Sequence, residues 1–194
     1  NNIGRVIFGF GGIFYALKMM ATAMGPMKDM SWFQNVLEHI NDSAVVGVGV
    51  GTFLTVLIQS SAATIAILQN LYADGALSLT GALPVLFGDN IGTAITTAAL
   101  AMIGSNIAAK RVAASHVLFN VIGTIICLIA LVPYGAFIQY LETTLGLEPK
   151  MTIASAHGTF NILNTILQFP FISLLVVIVT KLIPGEDEQI KYST

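Results

Sequence analysis

Gln59-Ser60-Ser61-Ala62-Ala63-Thr64 interrupts a chain that is otherwise apolar, and its reading decides the fold. Residues 43–58 before it are apolar, and residues 62–72 after it are apolar again. Neither arm reaches the roughly 20 residues that a membrane-crossing helix needs, and runs of about 10–14 are often re-entrant. A second polar stretch, Gly88-Asp89-Asn90-Ile91-Gly92-Thr93, lies between apolar residues 79–87 and 93–103, with Thr96 and Thr97 just after. In a bilayer no water satisfies freed backbone groups, so an interrupted helix survives only inside protein or beside a polar cavity. A matched pair of interrupted helices marks a solute site in secondary transporters.

Composition agrees with a membrane setting. Of 194 residues 55% are hydrophobic and 9% charged, and the mean hydropathy is +0.82. Soluble domains carry roughly 25% charged residues. The net charge of −2 comes with no basic stripe, which excludes nucleic acid as an expected partner. Cys127 is the lone cysteine, so neither an intrachain disulfide nor a cysteine metal cluster is available. Asn1-Asn2 leads straight into an apolar run with no signal-peptide pattern, so the chain is expected to be a fragment or one half of something larger.

Working outward, residues 3–24 form a first span with Gly4, Gly9, Gly11 and Gly12 on its early turns. Small residues let helix backbones approach closely. Residues 30–40 place Trp32, Phe33, Val36, Leu37 and Ile40 at helical spacing, the pattern of an interfacial helix. Residues 79–103 are long enough for one crossing broken at 88–92. Residues 112–132 form a clean span ended by Pro133, and residues 151–183 a last one, tilted or kinked at Pro170. The expected fold is therefore all-α and membrane-integral, with about four spans, one of them broken, and a re-entrant hairpin whose tip is Gln59-Ser60-Ser61.

Charge selects the hairpin over a broken first span. With a hairpin, Arg5, Lys110, Arg111, Lys181 and Lys191 fall on one side and Lys28 and Lys150 on the other, with Lys18 near that end of the first helix. The side richer in Lys and Arg is cytoplasmic. Both termini are then expected in the cytoplasm, in the plasma (inner) membrane, with the hairpin dipping in from outside.

The polar stretches carry the chemistry. A helix starting after Ser60-Ser61 presents free N–H groups and a partial positive charge, with a serine to cap it. A helix starting at Gly92-Thr93 would do the same, and two such ends aimed at one spot would hold an anion without arginine. No Lys or Arg lies near either stretch. Gln59, Ser60, Thr64, Thr93 and Thr96 with Asn90 offer hard oxygen ligands, suited to a sodium-sized ion rather than a transition metal. Asp89 is the one carboxylate at mid-membrane depth, and such acids are usually functional. It could ligate a cation, accept a proton or pair with a polar group. Membrane Ser and Thr also commonly bond back to their own helix; that is the reading for Thr52, Thr55 and Thr124.

A repeat follows: Ala114-Ser115-His116-Val117-Leu118-Phe119-Asn120 matches Ser155-Ala156-His157-Gly158-Thr159-Phe160-Asn161. His116 and Asn120 share one helix face, as do His157, Asn161 and Asn164. These faces are expected to support antiparallel packing through interhelical hydrogen bonds. Two histidines alone make a weak metal site. No Gly-x-Ser-x-Gly elbow accompanies the serines, which argues against an intramembrane hydrolase.

Taken in order, the serine tip, Gly88–Thr93, the basic pair Lys110-Arg111 and His116-Val117-Leu118-Phe119-Asn120 resemble the repeat unit of the type II sodium–phosphate cotransporters. The resemblance covers nearly the whole chain, with residues 1–184 as the unit and 185–194 as a polar tail or linker. It implies sodium-driven import of inorganic phosphate, with no cofactor beyond Na+ as coupling ion. It also implies an inverted second unit, supplied by another half or another copy in a dimer, with this chain as the second half. By resemblance Ser60, Ser61, Thr64, Gly92 and Thr93 bind phosphate. Gln59, Ser60, Asp89, Asn90, Thr93 and Thr96 bind sodium. Two departures bear on the substrate: Ala62 replaces the tip's third serine, and Asp89 replaces a small residue and adds a charge that repels phosphate unless neutralised.

Overall fold

The structure, a computed structural model, describes residues 2–185. Residue 1 and residues 186–194, with Lys191 and the acidic stretch 186–188 of the expected tail, lie outside the described residues. The elements are α1 (Asn2–Met24), a 3-10 turn (Pro26–Asp29), α2 (Ser31–Asp42), α3 (Ala44–Ile58), α4 (Ser61–Ala73), α5 (Leu79–Met102), α6 (Ile107–Ile129), α7 (Leu131–Leu145), α8 (Pro149–Gln168), a second 3-10 turn (Phe169–Phe171) and α9 (Ile172–Leu182). Side chains start several of them. Ser43, Ser60, Ser78 and Asn106 each accept a first-turn N–H, at 3.4, 3.3, 3.1 and 2.9 Å. Among the described residues, four helical stretches are long and apolar enough to cross a membrane: Asn2–Ala23, Leu79–Met102, Ile107–Ile129 and Pro149–Leu182. The all-α membrane reading and its four spans stand.

α3 and α4 form the hairpin. At 15 and 13 residues, with 1.5 Å rise per residue, each falls short of the roughly 30 Å apolar core of a bilayer. The chain reverses at Gln59, whose φ is 58°. It returns to where it set out: the Ser78 N–H and hydroxyl both donate to Asn41 Oδ1, at 3.0 and 2.9 Å. A hairpin with both ends at one level is re-entrant in shape.

The expected break at 88–92 is overturned. α5 runs without interruption from Leu79 to Met102. The glycines read as breakers are notches for α3. A Cβ on Gly88 would overlap the Val48 carbonyl, one on Gly51 would overlap the Val85 carbonyl, and one on Gly92 would sit 2.6 Å from the Thr52 carbonyl. Small residues let the two backbones touch, and Gly47 facing Pro84 extends the seam. The pairing order makes α3 run parallel to α5. The polar side chains fold back on α5 itself. Asn90 Nδ2 donates to the Leu86 carbonyl at 3.0 Å, and the Thr93 hydroxyl donates to the Asp89 carbonyl at 3.0 Å. They load the helix without interrupting it.

Three further points differ from expectation or refine it. The span at 112–132 is α6 over Ile107–Ile129, and Pro133 lies in the first turn of α7, where its missing N–H is no loss. α7 had no counterpart in the sequence reading. It is held by Tyr134, whose hydroxyl donates to the Ala156 carbonyl at 2.6 Å. The kink at Pro170 is present as the 3-10 turn between α8 and α9.

α5 is the buried axis, with every residue from Gly81 to Asp89 buried. Phe87 stacks on Phe160 of α8 at 5.0 Å and tilts against Tyr134 at 5.7 Å. α6 runs antiparallel to α8 and α9. Arg111 Nε donates to the Ile183 carbonyl at 3.1 Å, and Gln168 Nε2 to the Phe119 carbonyl at 2.8 Å. α1 packs on α4 but leaves its apolar residues exposed.

Candidate functional site

The hairpin tip is where the backbone is strained and the helix ends are open. Gln59 is the one non-glycine residue at positive φ among the described residues, in a region that ordinary side chains avoid. Its N–H caps α3 by donating to the Thr55 carbonyl at 2.8 Å. Ser60 is extended and caps α4. The N–H groups of Ser61 and Ala62, first in α4, have no intrahelical acceptor and carry the positive end of the helix dipole.

A cavity of about 210 Å³ opens against this tip. Gln59, Ser60, Ser61 and Ala62 form one wall, and Thr93, Thr96 and Thr97 of α5 form the other, with Thr55 between. The cavity wall has no Lys or Arg. The hydroxyls of Thr93, Thr96 and Thr97 donate to the carbonyls of Asp89, Gly92 and Thr93, at 3.0, 2.9 and 3.0 Å. Their protons are engaged, which leaves oxygen lone pairs for the cavity. The tip therefore offers donors and α5 offers acceptors. An anion fits the first and a hard cation the second.

The structure brings Gln59, Ser60, Ser61, Thr93 and Thr96 together on one cavity. Thr64 and Asp89 are buried behind it, 1% and 0% exposed. Asn90 is half-buried and does not line the cavity. Gly92 lies against the Thr52 carbonyl in a continuous helix, so it offers no free N–H end. The site thus has one helix N-terminus, that of α4, where two were expected.

The supporting polar face is also redistributed. Asn120 and Asn161 donate their amides to the carbonyls of His116 and His157 on their own helices, both at 2.9 Å. Asn164 does meet α6: it faces Gly123 and is bonded by Gln168 Nε2. His116 and His157 each precede that contact by seven residues on antiparallel helices, which sets them roughly 20 Å apart along the axes at 1.5 Å per residue. They do not form one site.

Thr55, expected to bond back to its own helix, reaches other helices instead and belongs to the site. Its hydroxyl donates to Asp89 Oδ1 at 2.7 Å and lies 3.0 Å from the Thr64 hydroxyl. Having a single proton, Thr55 receives from Thr64 when it donates to Asp89. One signal was available: Thr55 precedes Gln59 by four residues, on the tip's own last turn.

Comparison with known proteins agrees with these motifs. The family model described as Na+/Pi-cotransporter matches residues 27–147. YqeW of Bacillus subtilis, of uncharacterised function by its name, is 33% identical over 95% of this chain. YjbB of Escherichia coli K12, a candidate inorganic phosphate export protein by its name, is 26% identical over 96% of the chain. The rabbit sodium-dependent phosphate transport protein 2A is 29% identical over 74% of it. The chain spans 58% of the length of YqeW, 33% of YjbB and 23% of the rabbit protein. No solved structure matches the chain.

Proposed function

This chain belongs to the Na+/Pi-cotransporter family, and from that membership we propose that it is one repeat unit of a sodium-coupled importer of inorganic phosphate. The observation that carries the reading is the cavity at the hairpin tip. It pairs an uncovered helix N-terminus with a row of threonine oxygens and has no basic side chain on its wall. Phosphate is bound by the N–H groups of Ser61 and Ala62 and the hydroxyls of Ser60 and Ser61, the arrangement that suits an oxyanion at a helix start. Sodium is held between the walls, by Gln59 Oε1 from the tip and the hydroxyl oxygens of Thr93 and Thr96 from α5, near enough to offset the anion's charge. The unit lies in the plasma membrane with both termini cytoplasmic, by the bias of Arg5, Lys110, Arg111, Lys181 and Lys191 against Lys28 and Lys150, with Lys18 near that second side. A second unit, from another half or a second copy in a dimer, completes the open side of the cavity.

The test is radiolabelled phosphate uptake into proteoliposomes, with an inward Na+ gradient set against a K+ control. Saturable, Na+-dependent uptake is expected once the completing unit is present. Relatives carry names of both sodium-dependent transport and export, so the gradient is also reversed with phosphate loaded inside. Efflux driven by K+ as well as by Na+ would overturn the coupling. Sulfate or a carboxylate displacing phosphate at equal concentration would overturn the choice of anion.

A further inference from the structure

A slot of about 420 Å³, twice the volume of the tip cavity, lies between α2 and the hairpin. Its floor is the buried Leu37 and Ile40 of α2, Leu68 and Leu71 of α4, and Leu77 beyond them. Its rim is Trp32 and Val36 of α2 and Phe53 of α3, all exposed. Among the described residues Thr64 is the one polar residue on its wall. The Thr64 hydroxyl is already engaged, 3.0 Å from the Thr55 hydroxyl and 3.3 Å from the Ser60 carbonyl. A water needs several polar partners to settle in a cavity, so neither water nor an ion suits this slot. It takes hydrocarbon.

Its setting says which hydrocarbon. α2 turns Phe33, Leu37 and Ile40 toward the slot and carries the exposed Gln34, Glu38, His39 and Asp42 on its opposite face, the build of a helix lying at a membrane surface. At the rim, Phe53 shares its face of α3 with Val46 and Leu57, both exposed. An exposed apolar stripe on a membrane helix borders lipid tails, which are as apolar as leucine. The slot thus opens into the bilayer beneath a surface helix. From Leu71 to Thr64 it follows α4 for seven residues, roughly 10 Å at 1.5 Å per residue. A slot of that length and volume is too narrow for a helix about 10–12 Å across. At about 30 Å³ for a water-sized group, it has room for roughly a dozen carbons. Residues 28–42 carry Lys28 against Asp29, Glu38 and Asp42, a net charge of −2 with His39 neutral, which disfavours an anionic headgroup above the opening. We infer that this slot binds one acyl chain of a zwitterionic phospholipid, which fills the space between α2 and the hairpin and braces α4 behind Thr64. The inference rests on the membrane setting alone; it is independent of the anion and of the coupling ion.

Trp32, the single tryptophan, stands on the rim, so its fluorescence reports the occupant. The full chain, stripped of lipid in detergent, is titrated with dioleoyl phosphatidylethanolamine brominated at its double bonds, since bromine quenches tryptophan on contact. Saturable quenching that levels off near one lipid per chain is expected, reversed by the unbrominated lipid. Val50→Phe and Ile67→Phe fill the slot from α3 and α4 and are expected to raise the half-saturating lipid concentration at least tenfold. Leu57→Phe, exposed and outside the slot, is expected to change it less than twofold. If the slot variants do not fold, saturation and its reversal on the unaltered chain decide the matter. Quenching that rises in proportion to lipid without saturating, or that saturates alike in slot and control variants, would overturn the site. Brominated phosphatidylglycerol binding as tightly would overturn the choice of headgroup. No saturable quenching, with a slot variant that turns a dimer into a monomer in gel filtration, would give the slot to a second copy and overturn the lipid.

Discussion

The two ends of the hairpin are built on opposite plans. At its base, side chains are tied across elements. Asn41 holds Ser78, Tyr72 donates to Glu142 at 3.0 Å, Thr152 donates to Glu142 at 3.0 Å, and Gln69 donates to the Lys150 carbonyl at 2.9 Å. At its tip, the backbone is strained at Gln59, the α4 N–H groups are uncovered and a cavity stands open. The seam of Gly51, Gly88 and Gly92 joins the two ends by laying α3 flat on α5. The contrast separates stability from binding along one helical pair: the base and seam fix the hairpin, so that the tip can remain polar and under-satisfied. Open polar ends and strained backbone are the pattern of sites where structure is given over to ligands.

The strongest way to break the contrast is to destroy the seam. Gly88→Val places a branched side chain where even a Cβ overlaps the Val48 carbonyl. Backbone cannot yield as a flexible side chain does, so a loss of about 3 kcal/mol or more is expected. The chain should lose its cooperative thermal transition, while Gly49→Ala, with nothing within 4 Å of its Cβ, should keep it. Equal transitions in the two variants would mean that the seam is not what holds the hairpin.

The next step unties the base alone. Glu142→Ala leaves the hydroxyls of Tyr72 and the fully buried Thr152 without their carboxylate. Thr152 keeps the Glu148 carbonyl, at 3.3 Å, as a second acceptor; the half-buried Tyr72 hydroxyl loses its partner, and since an unsatisfied buried hydroxyl costs about 1–3 kcal/mol, about 1 kcal/mol is expected in thermal unfolding. Phosphate affinity, read by isothermal titration at a temperature where both proteins are folded, should change less than about twofold. A large affinity loss would show that the base and tip are not separable.

The seam and the contrast were only partly legible in the sequence. The apolar runs and the brevity of the two hairpin arms were enough for the spans and the tip, because length and hydropathy are local properties. Gly88 and Gly92 were misread because glycine serves both a chain break and a close approach, and only the position of α3 tells which. Asp89, Asn90 and Thr93 look like a break for the same reason: whether a polar side chain bonds its own helix is not written in its identity. α7 was missed because Pro133 reads as a stop at the end of one helix and is equally suited to the start of another. Thr55 was read as bonding its own helix because its partner lies 34 residues away on α5.

At the tip, the cap can be removed while the base stays intact. Ser60→Ala deletes the acceptor for the Ala63 N–H, a change worth about 1 kcal/mol at a helix start. It also removes a hydroxyl from the cavity wall. Hydrogen exchange is expected to rise at Ser61–Thr64 and to hold steady near Tyr72, and phosphate affinity to fall about tenfold. Uniform exchange across both ends would indicate one cooperative unit rather than two plans.

The smallest change in stability carries the sharpest test. Gln59 holds a left-handed backbone that costs a side-chain-bearing residue about 1–2 kcal/mol. Gln59→Gly relieves that strain, while glycine's larger freedom in the unfolded chain takes back about 0.5–1 kcal/mol. The net sign is therefore neutral to slightly stabilising, and the thermal midpoint should hold or rise. If the strain is maintained for the sake of the Gln59 amide at the cavity, the same variant should require several-fold more Na+ for half-maximal phosphate uptake. A midpoint that falls would mean that the Gln59 side chain supports the fold instead. A midpoint that holds with unchanged Na+ dependence would remove Gln59 from the site and leave the strain without a functional reason.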